Sequence, residues 1–153
     1  MIHPNLIRLK NYEHDPSKFA YKAEHAVERI LDDELLLNPT IILVYSTGCW
    51  HCLDFMKDKI ENGRRQKSLW RRFRHRLLRE GFTVLQINVN ALPHFQREAE
   101  KLRGDDGLIG VLDATRAIYG VPSLIGMSAE GKAQEFEGSR SFESLVRFMK
   151  SFT

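Results

Sequence analysis

The order of helix and strand patterns along this 153-residue chain predicts an α/β fold in a single domain. Segments with helical spacing of apolar side chains alternate with short β-branched apolar runs, an order typical of α/β proteins. The length is enough for one domain with a substantial core. The composition is that of an ordinary globular protein and the net charge is only +3, which argues against a disordered or fibrous chain.

The N-terminal part, residues 1–39, is predicted to be an extension that ends in a helix. Residues 5–12 can form a short strand or an irregular arm. Asp15-Pro16 predicts a helix start, with the aspartate as N-cap and the proline at the first helical position. The spacing of the apolar residues that follow predicts a helix over residues 17–34 with one face on the core. Asn38-Pro39 ends this segment.

The most informative stretch begins with the apolar run of residues 40–45, which suits a central strand buried on both faces. Cys49-Trp50-His51-Cys52 follows it, opens a helical pattern and contains both cysteines of the chain. A Cys-x-x-Cys pair between a strand and a helix predicts a dithiol redox centre. The free N–H groups and the dipole of the first helical turn would stabilise a thiolate on Cys49. Cys52, one turn further, is close enough to close a small disulfide ring.

The alternatives for the cysteine pair are half of a structural zinc site and an incidental pair. A closed zinc site needs four ligands, and the sequence has no second Cys-x-x-Cys. His51, His75 and His94 show no paired ligand spacing. We therefore expect no metal and no cofactor, because the cysteine pair itself carries the electrons.

A basic helix is predicted after the cysteines. Phe55, Met56 and Ile60 continue the first helical pattern, Asn62-Gly63 interrupts it, and a helix resumes over residues 66–80. The basic residues of segment 64–79 are Arg64, Arg65, Lys67, Arg71, Arg72, Arg74, Arg76 and Arg79. The spacing of the aromatic residues favours a core-facing side and a solvated basic face. An acidic protein partner is the next interpretation, and nucleic acid is disfavoured.

The remaining pattern consists of two strands, a hairpin partner and three helices. We predict a strand over 82–90, a helix over 92–102, a loop over 103–110, a short helix over 113–119, a strand over 123–127, its hairpin partner over 133–137, and a last helix capped by Ser141. The loop contains Arg103-Gly104-Asp105, a tripeptide associated with integrin recognition. Such a tripeptide is frequent by chance in Gly/Asp loops, so we assign it no function.

The combination of Cys49-Trp50-His51-Cys52 after an apolar strand, Val121-Pro122 before a hairpin and an amphipathic closing helix resembles the thioredoxin superfamily. The resemblance covers residues 40–153, and the long segment after Cys52 is most similar to the thioredoxin-related domains of periplasmic thiol:disulfide interchange proteins. It implies a thioredoxin fold, with a central mixed β-sheet flanked by helices. Residues 1–39 would be an N-terminal helical extension, and residues 91–112 an insertion that either shapes the substrate groove or decorates an edge.

The resemblance also implies roles for site residues. Cys49 would attack a disulfide and Cys52 would resolve the intermediate. Pro122 would follow a cis peptide bond beside the dithiol, and the backbone of Val121 would pair with an extended substrate. From the sequence alone, Pro122 could equally be a trans turn proline.

The sequence departs from thioredoxin itself at two places. Leu43 stands where thioredoxin has a buried aspartate that takes the proton of the resolving cysteine, and Trp50-His51 replaces Gly-Pro. His51 either lowers the pKa of the thiol through hydrogen bonds or charge, which would make the disulfide more oxidising, or faces solvent without effect. Trp50 is either a substrate platform or a lid over the sulfurs.

These observations predict a thiol–disulfide oxidoreductase that works through a mixed disulfide. Its partners would be protein disulfide or dithiol substrates and a redox-recycling partner. The alternatives are a thioredoxin-fold binding module with vestigial redox activity and a metal carrier that uses Cys49, Cys52 and His51. No transmembrane run and no signal peptide are visible, so the chain as it stands is expected in the cytoplasm. A periplasmic location would apply if it were a mature exported form.

Overall fold

A five-stranded mixed β-sheet forms the centre of the computed structural model, which describes residues 3–102 and 104–153. The strands are β1 (Leu6–Leu9), β2 (Thr40–Tyr45), β3 (Lys59–Glu61), β4 (Arg64–Gln66), β5 (Thr83–Asn88), β6 (Ser123–Met127) and β7 (Ala133–Glu135). The helices are α1 (Ser17–Asp32), α2 (Trp50–Met56), α3 (Leu69–Arg79), α4 (Leu92–Glu100), α5 (Asp106–Arg116) and α6 (Phe142–Lys150). A 3-10 turn, Leu35–Leu37, precedes β2.

The strand order in the sheet is β1-β5-β2-β6-β7, with β3 and β4 paired as a separate hairpin. β2 runs parallel to β5 and antiparallel to β6, with Val44 opposite Ser123. The end of β2 therefore lies beside the start of β6. This pairing brings the segment after Tyr45 and the segment before Ser123 to the same edge of the sheet.

Helices cover both faces of the sheet and enclose two cores. On one face, α1, α4 and α5 pack against side chains such as Ile42 and Val44 of β2. On the other face, α2, α3 and α6 pack against Ile41 and Leu43. Alternate side chains of a strand point to opposite faces, so the apolar run of β2 supplies both cores. The predicted central mixed sheet flanked by helices is confirmed.

The N-terminal segment and the region of the predicted insertion both join the first core. β1 is an ordered strand that pairs in parallel with β5, with Leu6 opposite Val84. α4 and α5 pack on the same side of the sheet as α1. Residues 91–112 thus contain α4 and the larger part of α5, and α5 ends just before the loop that carries Val121.

The predicted start of α1 is displaced by one residue. Pro16, not Asp15, occupies the N-cap position, and the helix begins at Ser17 without a side-chain capping bond. The carboxylate of Asp15 instead accepts a 2.7 Å hydrogen bond from the hydroxyl of Ser17. The backbone carbonyl of Asp15 still accepts the N–H of Lys18 at 3.0 Å.

The prediction that the helix after the cysteines continues through Ile60 is wrong. α2 ends at Met56, and Ile60 lies in β3 of the exposed β3–β4 hairpin. Asn62 and Gly63 form the turn with positive φ angles of 52° and 73°. An Asn-Gly pair with two positive φ angles favours a tight hairpin turn, so it joins two strands here rather than merely interrupting a helix.

The predicted loop over 103–110 and short helix over 113–119 are also wrong, because α5 spans most of both. Asp105 caps α5, and its carboxylate accepts the N–H of Leu108 at 3.0 Å. Glycine suits position 107 within this helix, because the Cβ atom of any other residue would lie only 3.1 Å from the side chain of Leu36. The Arg103-Gly104-Asp105 tripeptide begins with a residue outside the described part of the chain.

Candidate active site

Cys49 is the N-cap residue of α2 and follows the end of β2 by a short turn. Its backbone is extended, and its Sγ accepts a 3.3 Å hydrogen bond from the N–H of Cys52. A sulfur at this position faces the unpaired N–H groups and the positive end of the helix dipole, both of which favour a thiolate. The side chain is partly exposed, so this sulfur can be reached from solvent.

Cys52 lies deeper in the same helix and is only 1% exposed. Its Sγ accepts a 3.4 Å hydrogen bond from the N–H of Ser46, in the turn that follows β2. Both cysteines are free thiols. One sulfur is accessible and the other is buried beside it.

The loop before β6 contacts Cys49 directly. The peptide bond between Val121 and Pro122 is cis, and the thiol of Cys49 donates to the carbonyl oxygen of Val121 across 3.5 Å. The antiparallel pairing of β2 with β6 explains the contact, because it brings the two loops to one edge of the sheet. Cys49, Cys52, Val121 and Pro122 therefore form one cluster.

Arg140 belongs to the same cluster and was not predicted from the sequence. It lies in the segment between β7 and α6, where its Nη2 donates a 3.1 Å hydrogen bond to the carbonyl of Pro122. Its guanidinium also stands 5.2 Å from the centre of the Phe55 ring in α2, within the range of a cation–π contact. No local pattern distinguishes Arg140 from other surface arginines, because its position depends on the pairing of distant segments.

The surroundings shift the pKa values of the two thiols in opposite directions. The hydrogen bond with the Cys52 side chain is the largest influence that lowers the pKa of Cys49, supported by the N–H groups of Cys52 and His51 and by the charge of Arg140. Burial is the main cause that raises the pKa of Cys52 from the usual 9.0 to about 11. Cys49 is therefore the thiol that ionises first, and a thiolate is the nucleophile in disulfide exchange.

The two residues between the cysteines lie on the surface. Trp50 is 71% exposed, and its ring meets the His51 ring edge-on at a centroid distance of 4.9 Å. The His51 side chain is exposed as well. Leu43, which the resemblance places where thioredoxin has an aspartate, is fully buried in the core that α2 covers. An apolar side chain at this position cannot accept a proton.

A cavity of about 300 Å³ opens beside α2 and reaches the β3–β4 hairpin. The charged and ionisable residues that line it are His51, Asp54, Lys59, Glu61, Lys67, Arg72 and Arg140. Lys59 and Asp54, both in this lining, form an ion pair of 2.8 Å. The resulting site has a mixed but mainly basic rim.

The aromatic side chains of α3 face the core, as the sequence predicts. Trp70 and Phe73 are 2% and 0% exposed, whereas Arg71, Arg72 and Arg79 lie on the outer face. Trp70 donates a buried 2.9 Å hydrogen bond from its Nε1 to the side chain of Gln86. The basic face of the helix therefore carries no exposed aromatic ring from these positions.

Residues 3–102 and 104–153 offer neither a metal cluster nor a helix that could span a membrane. No cluster of three or more histidine, cysteine or acidic side chains there has a geometry suited to a metal ion. A metal carrier would thus have the two sulfurs without a third such ligand beside them in this range. Within the same range, no helix has both the length and the apolar character needed to cross a membrane.

A mixed sheet between two helical layers, with the cysteine pair at the start of α2 and a cis-proline loop beside it, is a thioredoxin fold. Among solved structures, MTB dsbF in its mixed oxidized and reduced forms superimposes with a TM-score of 0.50 at 15% identity, over 79% of this chain and 85% of that one. At this identity the likeness shows the fold.

A second solved structure, the J-Trx1 fragment of ERdj5, matches 97% of this chain at 20% identity with a TM-score of 0.49. This chain covers 52% of that fragment, about half of its length. No protein-family model and no curated protein sequence matches the chain.

Proposed function

We propose that this protein is a thiol–disulfide oxidoreductase that reduces or exchanges protein disulfides through Cys49 and Cys52. The observation that carries the proposal is the arrangement of the two sulfurs. The Cys49 sulfur is partly exposed and accepts an N–H at the start of α2, while Cys52 is buried one turn further along. This arrangement suits a nucleophile that meets a substrate and a second thiol that acts only after the first has reacted.

In the proposed reaction, the Cys49 thiolate attacks one sulfur of a substrate disulfide. The substrate S–S bond breaks, its second sulfur leaves as a thiolate that takes up a proton, and a mixed disulfide forms with Cys49. Cys52 then loses its proton and attacks the Cys49 sulfur, which releases the first substrate sulfur as a thiol. Two electrons have passed to the substrate and the protein holds a Cys49–Cys52 disulfide. A recycling partner returns the electrons, and the same steps in reverse oxidise a dithiol.

The proton of Cys52 needs an acceptor, and the core below the dithiol does not supply a carboxylate at Leu43. We propose that the departing substrate thiolate or water takes this proton. The raised pKa of Cys52 then keeps its thiol protonated, and so unreactive, until the mixed disulfide has formed.

The loop of Val121 and Pro122 is the proposed seat of the substrate backbone. The carbonyl of Val121 already contacts the Cys49 thiol. An extended substrate segment whose cysteine reaches Cys49 would lie along this loop and exchange backbone hydrogen bonds with Val121. The exposed Trp50 ring offers an apolar contact at the same mouth. Such a surface fits the extended backbone of a protein substrate better than it fits a small disulfide or thiol.

The test is turnover of a protein disulfide such as that of insulin, with a small dithiol as the recycling reductant. We expect the wild-type chain to accelerate reduction, and the Cys49→Ser variant to fall to the uncatalysed rate. A wild-type rate no higher than that of Cys49→Ser/Cys52→Ser would contradict the proposal. Partner binding that survives in the double-serine variant, together with that absence of turnover, would favour the binding module.

A further inference from the structure

A second cavity, of about 490 Å³, lies along the outer face of α3. Six basic side chains line this cavity, which we call the basic groove: Lys67, Arg71, Arg72, Arg74, Arg76 and Arg79. None of the residues that line it is an aspartate or a glutamate. A concave surface walled by one sign of charge focuses the electric field and attracts ligands of the opposite charge.

Only part of this charge is neutralised within the described residues. Arg71 is paired with Asp58 at 2.7 Å, and Arg76 is paired with Glu80. Arg72 instead stands over the Phe142 ring, 5.6 Å from its centre. Lys67, Arg72, Arg74 and Arg79 have no carboxylate partner in residues 3–102 and 104–153. The groove thus holds four cations that are not neutralised within this range.

Arg74 is a partly buried cation with no carboxylate beside it in the described residues. Its side chain is half-buried, and its Nη1 donates a 2.7 Å hydrogen bond to the neutral Oε1 of Gln86. Burial is the main cause that lowers the pKa of this guanidinium, and the charges of Arg8 and Arg71 lower it further. A partly desolvated cation among other cations is unfavourable unless an anion neutralises it.

The basic groove shares two lining residues with the cavity beside α2. Lys67 and Arg72 line both the groove and the cavity that contains His51 and Arg140. Basic side chains therefore line both cavities, from Arg140, which is bonded to Pro122, to the outer face of α3. The acidic residues Asp54 and Glu61 line the first cavity only, and Asp54 is paired there with Lys59. A polypeptide whose cysteine is bound at Cys49 could continue over Lys67 and Arg72 into the groove.

The groove fits an acidic polypeptide better than the other polyanions. Proteins that bind single-stranded nucleic acid stack bases on exposed aromatic rings. Trp70 and Phe73 of α3 are buried in the core, and Phe142, the one aromatic ring that lines the groove apart from histidines, is half-buried with the Arg72 guanidinium over it. Binding in a membrane interface needs exposed apolar anchors, and the large exposed hydrophobic residues of the described chain lie outside α3. Carboxylates and phosphates both match the planar donor groups of arginine, so the preference for an acidic polypeptide rests on the lack of exposed rings and apolar anchors on α3.

We infer that the basic groove binds an acidic segment of the substrate or recycling partner that flanks the cysteine reacting at Cys49. This inference rests on the proposed function and adds the class of partner to it. The eleven residues of α3 extend over about 16 Å, a distance that about five residues of extended peptide cover. A run of about five acidic residues is therefore the expected recognition element.

Binding is tested first with a cysteine-free fluorescent peptide of six glutamates and a matched peptide of six glutamines. The reduced wild-type chain should bind the glutamate peptide and not the glutamine peptide, and high salt should weaken the binding. Lys67→Glu/Arg79→Glu should weaken it by at least about tenfold. Lys18→Glu/Lys22→Glu changes the net charge equally on α1, across the sheet, and should leave it unchanged.

Two results would overturn the inference at this stage. One is equal loss of binding in the α1 and α3 variants, which would show attraction to net charge alone. The other is tighter binding of a single-stranded oligonucleotide than of the glutamate peptide, with the same sensitivity to Lys67→Glu/Arg79→Glu, which would assign the groove to nucleic acid.

A second experiment connects the groove to the dithiol. Two disulfide-bonded peptides that differ only in a glutamate or glutamine flank are compared as substrates. The kcat/KM ratio should favour the glutamate flank, and Lys67→Glu/Arg79→Glu should remove that preference. If wild-type turnover is intact but kcat/KM is equal for both peptides, the inference that the groove binds an acidic flank is wrong. The proposed dithiol function is then unaffected. If the glutamate peptide binds in the groove but neither disulfide peptide is turned over, the proposed dithiol function is wrong. The groove would then be a binding site for acidic peptides.

Discussion

Arg140 and Pro122 are joined by a 3.1 Å hydrogen bond from the guanidinium to the proline carbonyl. The same guanidinium lies over the Phe55 ring of α2. One side chain thus connects the loop beside Cys49 to the helix that begins there. Its positive charge also lowers the pKa of both thiols. Arg140 therefore acts on the dithiol through position and charge, without contributing a reacting atom.

Replacing Arg140 with glutamine should raise the pKa of Cys49, because the thiolate loses a nearby positive charge. The measurement is the thiolate ultraviolet absorbance of the reduced protein as a function of pH. Arg147→Gln is the matched control, since Arg147 is exposed on α6 and has the same charge. The reaction of Cys49 with a disulfide at neutral pH should slow in Arg140→Gln alone. Equal titration curves for the two variants would show that Arg140 only fills space.

Cys49 should react with an alkylating agent well before Cys52 as pH rises. The pKa of Cys49 is lowered and its sulfur is partly exposed, whereas that of Cys52 is raised to about 11 and its sulfur is buried. Near neutral pH we expect Cys49 to be labelled at least about tenfold faster. Peptide mapping by mass spectrometry after timed alkylation measures both rates. Faster labelling of Cys52 would reverse the roles assigned to the two thiols.

Burial of Cys52 should make the reduced protein less stable in the alkaline range. Between pH 9 and 11 the thiol of the unfolded chain ionises while that of the folded chain stays protonated. The folded state then binds more protons than the unfolded state, so the free energy of unfolding falls as pH rises. Cys49→Ala should lose about 1–3 kcal/mol more over this window than Cys49→Ala/Cys52→Ala. Urea unfolding at a series of pH values gives both curves, and parallel curves would contradict the shift.

His51 should make the Cys49–Cys52 disulfide more oxidising. The N–H of His51 is among the groups that lower the pKa of Cys49, and proline at this position would remove both that N–H and the ring. His51→Pro should therefore shift the reduction potential to more negative values by tens of millivolts, where about 30 mV corresponds to 1.4 kcal/mol.

His51→Gln retains the backbone N–H and separates the two contributions. A glutathione redox titration measures the potential of each variant. A shift in both variants assigns the effect to the ring, and a shift in His51→Pro alone assigns it to the backbone. An unchanged potential in both would leave the exposed ring without a redox role.

The sequence predicts those parts of the site that depend on short-range patterns. The β-branched run of β2 predicts a strand. The cysteine pair begins four residues after it and marks the start of a helix, so a short turn must join the two. The spacing of Trp70, Phe73 and Leu77 is enough to show which side of α3 is buried, because one helical face collects residues three and four apart. The mixed sheet was predicted through the resemblance, which uses motifs far apart in the chain.

The errors arise where a local pattern is compatible with two structures. Phe55, Met56 and Ile60 fit a continuing helix, yet Asn62-Gly63 favours a hairpin turn once both φ angles are positive. Gly107 and Gly110 favour a loop in the sequence pattern, yet both lie in α5, the helix that Asp105 caps. Arg140 has no local signal, since only the pairing of β2 with β6 and the packing of α6 bring it to Pro122. The basic groove likewise depends on the packing of α3 against α6.

The most direct test of the attack-and-resolve order is the capture of the mixed disulfide. Reduced Cys52→Ser and Cys49→Ser variants are each mixed with a disulfide-bonded protein substrate, and the products are analysed by non-reducing gels and mass spectrometry. The account predicts a covalent adduct on Cys49 in Cys52→Ser, because the resolving thiol is absent and the intermediate has no intramolecular exit. It predicts almost none in Cys49→Ser, whose remaining thiol is buried and protonated. Adducts of equal yield in both variants, or an adduct found only on Cys52, would contradict it.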